Sequence, residues 1–173
     1  MNHRSTIAAR NHSGVAGPLV VIMSGVPGSG KSTYARSIAA AISATNAKIV
    51  SADDCFTKPN GTYDFHARDL PAAHAACLRA FNGALRDMRS SNDLLVVDNT
   101  NTTAVEIAPY YALATAYGNA VHIVTLECDP AVAAARNTHD VSLASIERMA
   151  AQIRDRRLPP YWLASLFTQA SEA

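Results

Sequence analysis

Long apolar runs are missing from this 173-residue sequence. None approaches the ~20 residues that a membrane-spanning helix needs, so no membrane role is expected. Cysteine is scarce: Cys55, Cys77 and Cys128 are odd in number, far apart and without metal-ligand spacing. A disulfide framework is therefore excluded, and free thiols in a reducing compartment, the cytoplasm, are expected. The six histidines have no metal-site spacing either. Charge of one sign is lacking too, since fifteen Lys and Arg face fourteen Asp and Glu, for a net charge of +1. That excludes a protein that coats long nucleic acid by bulk charge, but not one that grips a single short end. Residues 1–18 hold two arginines and no acid, and they lack the apolar core of a secretory signal. They read as a disordered N-terminal tail, with a transit peptide allowed by composition. No repeat or linker divides the rest, so a single domain is expected over 19–173.

What is present alternates strands with helices. Leu19–Ser24 and Leu94–Asp98 are short continuous apolar runs, the signature of strands covered on both faces. Lys48–Ser51 and Val121–Leu126 read as two more strands. Helices are expected over Ser32–Ala44; from Asp69, as N-cap, to about Ser90; after Thr103; after Asp129-Pro130; and after Ser142. Leu70, Cys77, Phe81, Leu85 and Met88 make one face of the second helix, and Leu143, Ile146, Met149 and Ile153 one face of the last. Thr103 and Glu106 have capping-box spacing, while Pro109 predicts a kink or a later start. The aromatic tail from Tyr161 to Phe167 reads as a docked last turn. The pattern is α/β: a parallel sheet of four or five strands with helices on both faces.

Gly25-Val26-Pro27-Gly28-Ser29-Gly30-Lys31-Ser32 matches G-x-x-x-x-G-K-[ST] between a strand and a helix. Here glycines let successive amides turn inward on phosphate oxygens, and the helix N-terminus adds positive potential. Gly25, Gly28, Ser29, Gly30, Lys31, Ser32 and Thr33 are thus the candidate nucleotide-binding residues. Lys31 would reach the β- and γ-phosphates and the Ser32 hydroxyl would ligate Mg²⁺. The motif by itself signals a nucleoside triphosphate and a P-loop NTPase fold, not a reaction.

Two further strands end in polar groups, where ligands sit in open α/β sheets. Asp98 follows four apolar residues, as a Mg²⁺-holding acid would. Asp53 and Asp54 follow the second strand, where one carboxylate can take the proton of an acceptor hydroxyl. Arg136 ends the short helix after the fourth strand and can fold over a triphosphate, offsetting charge in the transition state. There is no N-K-x-D motif of GTPase base recognition and no length for an oligomeric ATPase module. A small ATP-dependent hydroxyl kinase remains.

These motifs, with Gly61-Thr62-Tyr63-Asp64-Phe65, Ala73-His74-Ala75-Ala76-Cys77, Asp98-Asn99-Thr100-Asn101 and Arg136-Asn137-Thr138-His139, carry a resemblance over Leu19 to Arg157. The chain resembles the kinase domain of the 5′-polynucleotide kinases and the P-loop kinases related to the Nedd-ligase-binding protein, in the zeta-toxin-like group. The resemblance implies ATP and Mg²⁺ as cofactors, Asp53 as general base, Arg136 as a catalytic lid contact to ATP, and Asp98 with Asn99, Thr100 and Asn101 shaping the acceptor site; Asp54, beside the base, is a further candidate substrate-binding residue. It implies a nucleic-acid 5′-hydroxyl, in RNA or DNA, as acceptor, and no protein partner. In phage-type polynucleotide kinases an arginine three residues after the catalytic Asp grips the acceptor phosphate; here Phe56 stands there, and Asp140 stands where a second lid arginine falls. Those departures favour a small-metabolite or nucleotide-sugar kinase as the second hypothesis. A nucleotide-binding switch with slow hydrolysis is the third.

Overall fold

The computed structural model describes residues 17–41, 46–58 and 61–168, with the backbone alone for 164–168. The tail expected over 1–18 lies almost wholly outside the described residues. Five parallel strands form one sheet in the order β2-β3-β1-β4-β5. They are β1 (Leu19–Ser24), β2 (Ala47–Val50), β3 (Leu94–Val97), β4 (Ala120–Glu127) and β5 (Ala164–Thr168). The helices are α1 (Lys31–Ala41), α2 (Leu70–Asp87), α3 (Ala104–Ala116), α4 (Pro130–Arg136) and α5 (Leu143–Asp155).

The apolar runs are continuous because both faces of the sheet are covered. Val20, Ile22, Leu95, Val97, Val121 and Ile123 pack on one side with Cys77 and Phe81 of α2 and Ile107 of α3. Their alternating neighbours, among them Val21, Met23, Val96 and Val124, pack on the other side with Ala35 and Ile38 of α1. Each such side chain, fully buried, contributes roughly 1.5–3 kcal/mol. A third cluster lies at the carboxyl end of the sheet. There Val26, just after β1, packs with Ala133 of α4 and Ile146 of α5.

Local chemistry sets the helix boundaries. Thr103 and Glu106 form the reciprocal capping box, so α3 begins at Ala104 and runs through Pro109; the later start expected there is wrong. Proline leaves the Val105 carbonyl without an amide four residues on, but Val105 is 82% exposed, so solvent can satisfy it. Asp129 accepts from the amides of Ala131 and Val132, and Ser142 from that of Ser145. Asp69 precedes α2, but its side chain caps nothing, because a 3-10 turn over Ala67–Asp69 leads straight into the helix. Leu143 stands 44% exposed rather than on the buried face of α5, where Ala150 packs instead.

The tail is the main correction. Instead of a last turn, it supplies β5, paired with β4 from Ile123↔Ala164 to Glu127↔Thr168. Trp162 stacks on Tyr111 of α3 at 4.5 Å between ring centroids and leads the chain into that strand.

Candidate active site

The loops after β1, β2, β3 and β4 open onto one cleft of about 960 Å³. Its floor is the glycine loop. Gly28 and Gly30 have φ of 79° and 87°, which only glycine adopts without strain. A Cβ on Gly28 would lie 2.0 Å from the Ala133 carbonyl oxygen, so glycine is what lets α4 close down on the loop. The Gly25 amide donates to the Thr100 carbonyl at 2.9 Å, joining this loop to the one after β3.

Lys31 is 8% exposed, and its ammonium donates to the Val26 carbonyl at 2.8 Å. Burial pushes its pKa down to about 8, against the opposing pull of the Asp98 and Asp53 carboxylates. Both acids therefore stand near enough to act on the lysine, and all three line the cleft, with Ser32, Thr33, Thr100 and Arg136. Ser29 is fully buried, and its hydroxyl is without a hydrogen-bond partner among the described residues.

One serine links the two acidic loops. The Ser51 hydroxyl donates to the Asp98 carbonyl at 2.8 Å and accepts from the Asp53 amide at 3.2 Å. Asn99 reinforces the link: its side-chain oxygen accepts from the Ala52 amide at 2.8 Å, and its nitrogen donates to the Tyr110 hydroxyl and the Cys77 sulfur. So Asn99, expected to shape the acceptor site, touches the cleft but spends its amide holding Ala52 beside Asp53.

Two expected acceptor residues are not in the cleft lining. Asp54 turns back to accept from the Ser51 amide at 3.2 Å, which leaves Asp53 as the acid of the pair that lines it. Asn101 is 3% exposed at φ 42°, and its side chain donates to the Met23 carbonyl at 2.7 Å. A short amide side chain tolerates that left-handed backbone, so Asn101 braces the end of β1 instead of facing an acceptor. Gly25 and Ser29 also sit behind the lining, within the loop's own turn.

Sequence reasoning missed several groups. The Arg156 guanidinium donates to the Ser24 hydroxyl at 2.6 Å, the Asn101 carbonyl at 2.8 Å and the Thr125 hydroxyl. It pins the end of α5 to the ends of β1 and β4, and burial lowers its pKa. In sequence it is one of a run of helix-end arginines, which ordinarily face solvent. Tyr63, Phe65, His74 and His139 also line the cleft. Their only signal was membership in motifs to which no role was attached.

Ser32 and Asp98 suit a Mg²⁺ ion held jointly with phosphate oxygens, since Mg²⁺ takes one or two protein oxygens and keeps the rest for phosphates and water. No cluster of three or more His, Cys, Asp or Glu side chains able to hold a metal occurs among the described residues, so a self-sufficient metal cage does not compete with that arrangement. Nor is any described helix long and apolar enough to cross a membrane.

The family model described as "AAA domain" matches residues 20–155. Human NEDD4-binding protein 2 is 33% identical over 146 residues, which is 81% of this chain but 8% of that protein. Among solved structures, Chaetomium thermophilum Kti12 in complex with ADP-AlF3 is similar at a TM-score of 0.58 and 18% identity, covering 90% of each chain. Mycobacterium tuberculosis APS kinase CysC, with AMPPNP and APS, gives 0.56 and 17%, covering 87% of this chain and 88% of that one. A chain of the Pnkp1/Rnl/Hen1 complex gives 0.54 and 19%, covering 73% and 41%. These likenesses establish the P-loop α/β fold.

Proposed function

The chain belongs to the AAA domain family of P-loop proteins, and from that premise we propose that it is an ATP-dependent kinase that transfers the γ-phosphate to a hydroxyl, foremost the 5′-hydroxyl of a polynucleotide. The observation that carries this reading is the cationic Lys31 at the cleft floor with Asp53 and Asp98 both acting on it. A hydrolytic switch needs the lysine and the metal-side acid; a second carboxylate, on the neighbouring loop, is what an acceptor hydroxyl needs.

In this reading the inward amides of residues 28–33 hold the triphosphate, and Lys31 bridges its β- and γ-groups. Ser32 and Asp98 would hold Mg²⁺, which supplies charge neutralisation on the phosphate oxygens when bound. The acceptor oxygen forms its bond to the γ-phosphorus as the bond to the β–γ bridging oxygen breaks. Its proton passes to Asp53, and the electron pair leaves with ADP. Arg136, at the end of α4 on the cleft edge, offsets the charge spread over the γ-oxygens. A nucleic-acid 5′ end is supported by the resemblance of Asp98-Asn99-Thr100-Asn101 and Arg136-Asn137-Thr138-His139 to the 5′-polynucleotide kinase motifs, and it agrees with the fold likeness to a chain of the Pnkp1/Rnl/Hen1 complex.

A small-metabolite acceptor is favoured by one observation. Phe56 is 5% exposed and belongs to the core, so nothing at that position can grip an acceptor phosphate. Incubation with γ-labelled Mg·ATP, 5′-hydroxyl oligonucleotides and a panel of hydroxyl metabolites tests the readings together. Label at an oligonucleotide 5′ end is expected. Label on metabolites alone would move the protein to the second class, and label only in inorganic phosphate would leave a hydrolytic switch.

A further inference from the structure

The segment Gly61–Phe65 lines the cleft through Tyr63 and Phe65 without a role so far, and Tyr63 touches two other parts of the site. Its hydroxyl donates to Asp53 Oδ1 at 3.2 Å. Its ring lies against the His139 ring, with centroids 4.4 Å apart and planes tilted by 45°. His139 follows Arg136 by three residues. The loop between them is braced: the His139 amide donates to the Asn137 side chain at 3.0 Å, which itself donates to the Val141 carbonyl at 3.0 Å. Tyr63 is fixed from its own side as well. It bridges to Thr57 in antiparallel pairing, and its ring meets the edge of the core residue Phe56 at 6.1 Å. The Asp64 amide bonds the Phe56 carbonyl at 2.8 Å.

We propose that Tyr63 is a positioning residue that couples the loop after α4 to Asp53, so that seating of that loop over a bound triphosphate fixes the carboxylate that receives the acceptor proton. This rests on the reading of Asp53 as general base. The chain of contacts is short and of two kinds, a tilted ring contact with His139 and a hydroxyl toward Asp53, and so the two can be cut separately. Burial, and next the charge of Asp53, push the Tyr63 phenol up to about 12, so it stays a hydrogen-bond donor throughout the neutral range. Binding energy gathered at the phosphates would thereby order the acceptor side before any acceptor arrives, which is how remote contacts serve the chemical step.

The test needs no acceptor. Hydrogen exchange of the full chain is followed with and without Mg²⁺ and the β,γ-imido analogue of ATP. In the wild type the analogue is expected to slow exchange over residues 53–57 and 61–65 about fivefold or more, the lower end of typical coupling between sites. His139→Ala and Tyr63→Leu should still bind the analogue yet lose that slowing. Tyr63→Phe should keep it at 61–65 and lose it at 53–57. A Tyr63 that served stability alone would give equal changes in exchange with and without the analogue, which overturns the proposal. So would slowing that survives His139→Ala, or its absence from a wild type that binds the analogue. Failure of the wild type to bind the analogue at all would bring down the nucleotide reading as well, so the two failures are distinguishable.

Discussion

The two sides of the cleft are built by different means. On the donor side the grip is backbone: amides of a glycine loop, wedged between the end of β1 and α4 and set by φ values that glycine supplies. On the acceptor side the polar groups are side chains on irregular chain, with Asp53 in a 3-10 turn and Tyr63 on an isolated bridge. Under the proposed function, the first side would serve any nucleoside triphosphate, because it recognises phosphate geometry, and the second would carry the selectivity, because exposed side chains can be exchanged without disturbing the sheet.

If that contrast is right, the largest effect comes from the one side chain of the donor wall that charge demands. Lys31→Ala should cut phosphoryl transfer about a thousandfold and weaken Mg·ATP binding in calorimetry; unchanged turnover would end the distinction. Asp53→Asn should lower turnover by about two orders of magnitude with ATP affinity kept, as for loss of a general base. Asp54→Asn should stay near wild type, and the reverse ranking of these two would relocate the base. Gly28→Ala should reduce ATP affinity roughly tenfold and stability by about 1–3 kcal/mol, because its Cβ meets the Ala133 carbonyl at 2.0 Å and φ is positive. Asn101→Ala should cost about 1–3 kcal/mol in denaturant unfolding, since it strands the Met23 carbonyl, while turnover per folded molecule holds.

The smallest effect is one of pH. With Lys31 lowered to about 8 in the free protein, a neutral amine replaces the ammonium as pH rises past that value. ATP affinity should then decline from pH 8 upward, and a Lys31→Arg variant should not show that decline. Stability moves the other way: between pH 8 and 10.5 the unfolded chain holds the proton that the folded chain has released, so this group makes folding more favourable as pH climbs through the window.

What could be read in the sequence follows the same division. β1 and β3 were legible because coverage on both faces writes an unbroken apolar run, and the glycine loop because its geometry admits few residues. β5 was not, because Ala-Ser-Leu-Phe-Thr is short, and its pairing with β4 is a matter of tertiary contact. Asp53 and Asp54 were indistinguishable as letters; only the turn decides which carboxylate faces the cleft and which the Ser51 amide. Asn101 and Arg156 escaped for a like reason, since each is fixed by partners more than 50 positions away.

The edge position of β5 has a bearing on how the sheet is protected. β4 is eight residues long, with six of them buried, and its outer flank is satisfied by β5. Without that pairing, β4 is an open, apolar edge offering its amides and carbonyls to any passing strand. Protection of that edge thus rests on a strand that supplies none of the described cleft-lining residues, and a variant cut before Ala164 would keep the glycine loop yet present a template for edge-to-edge aggregation.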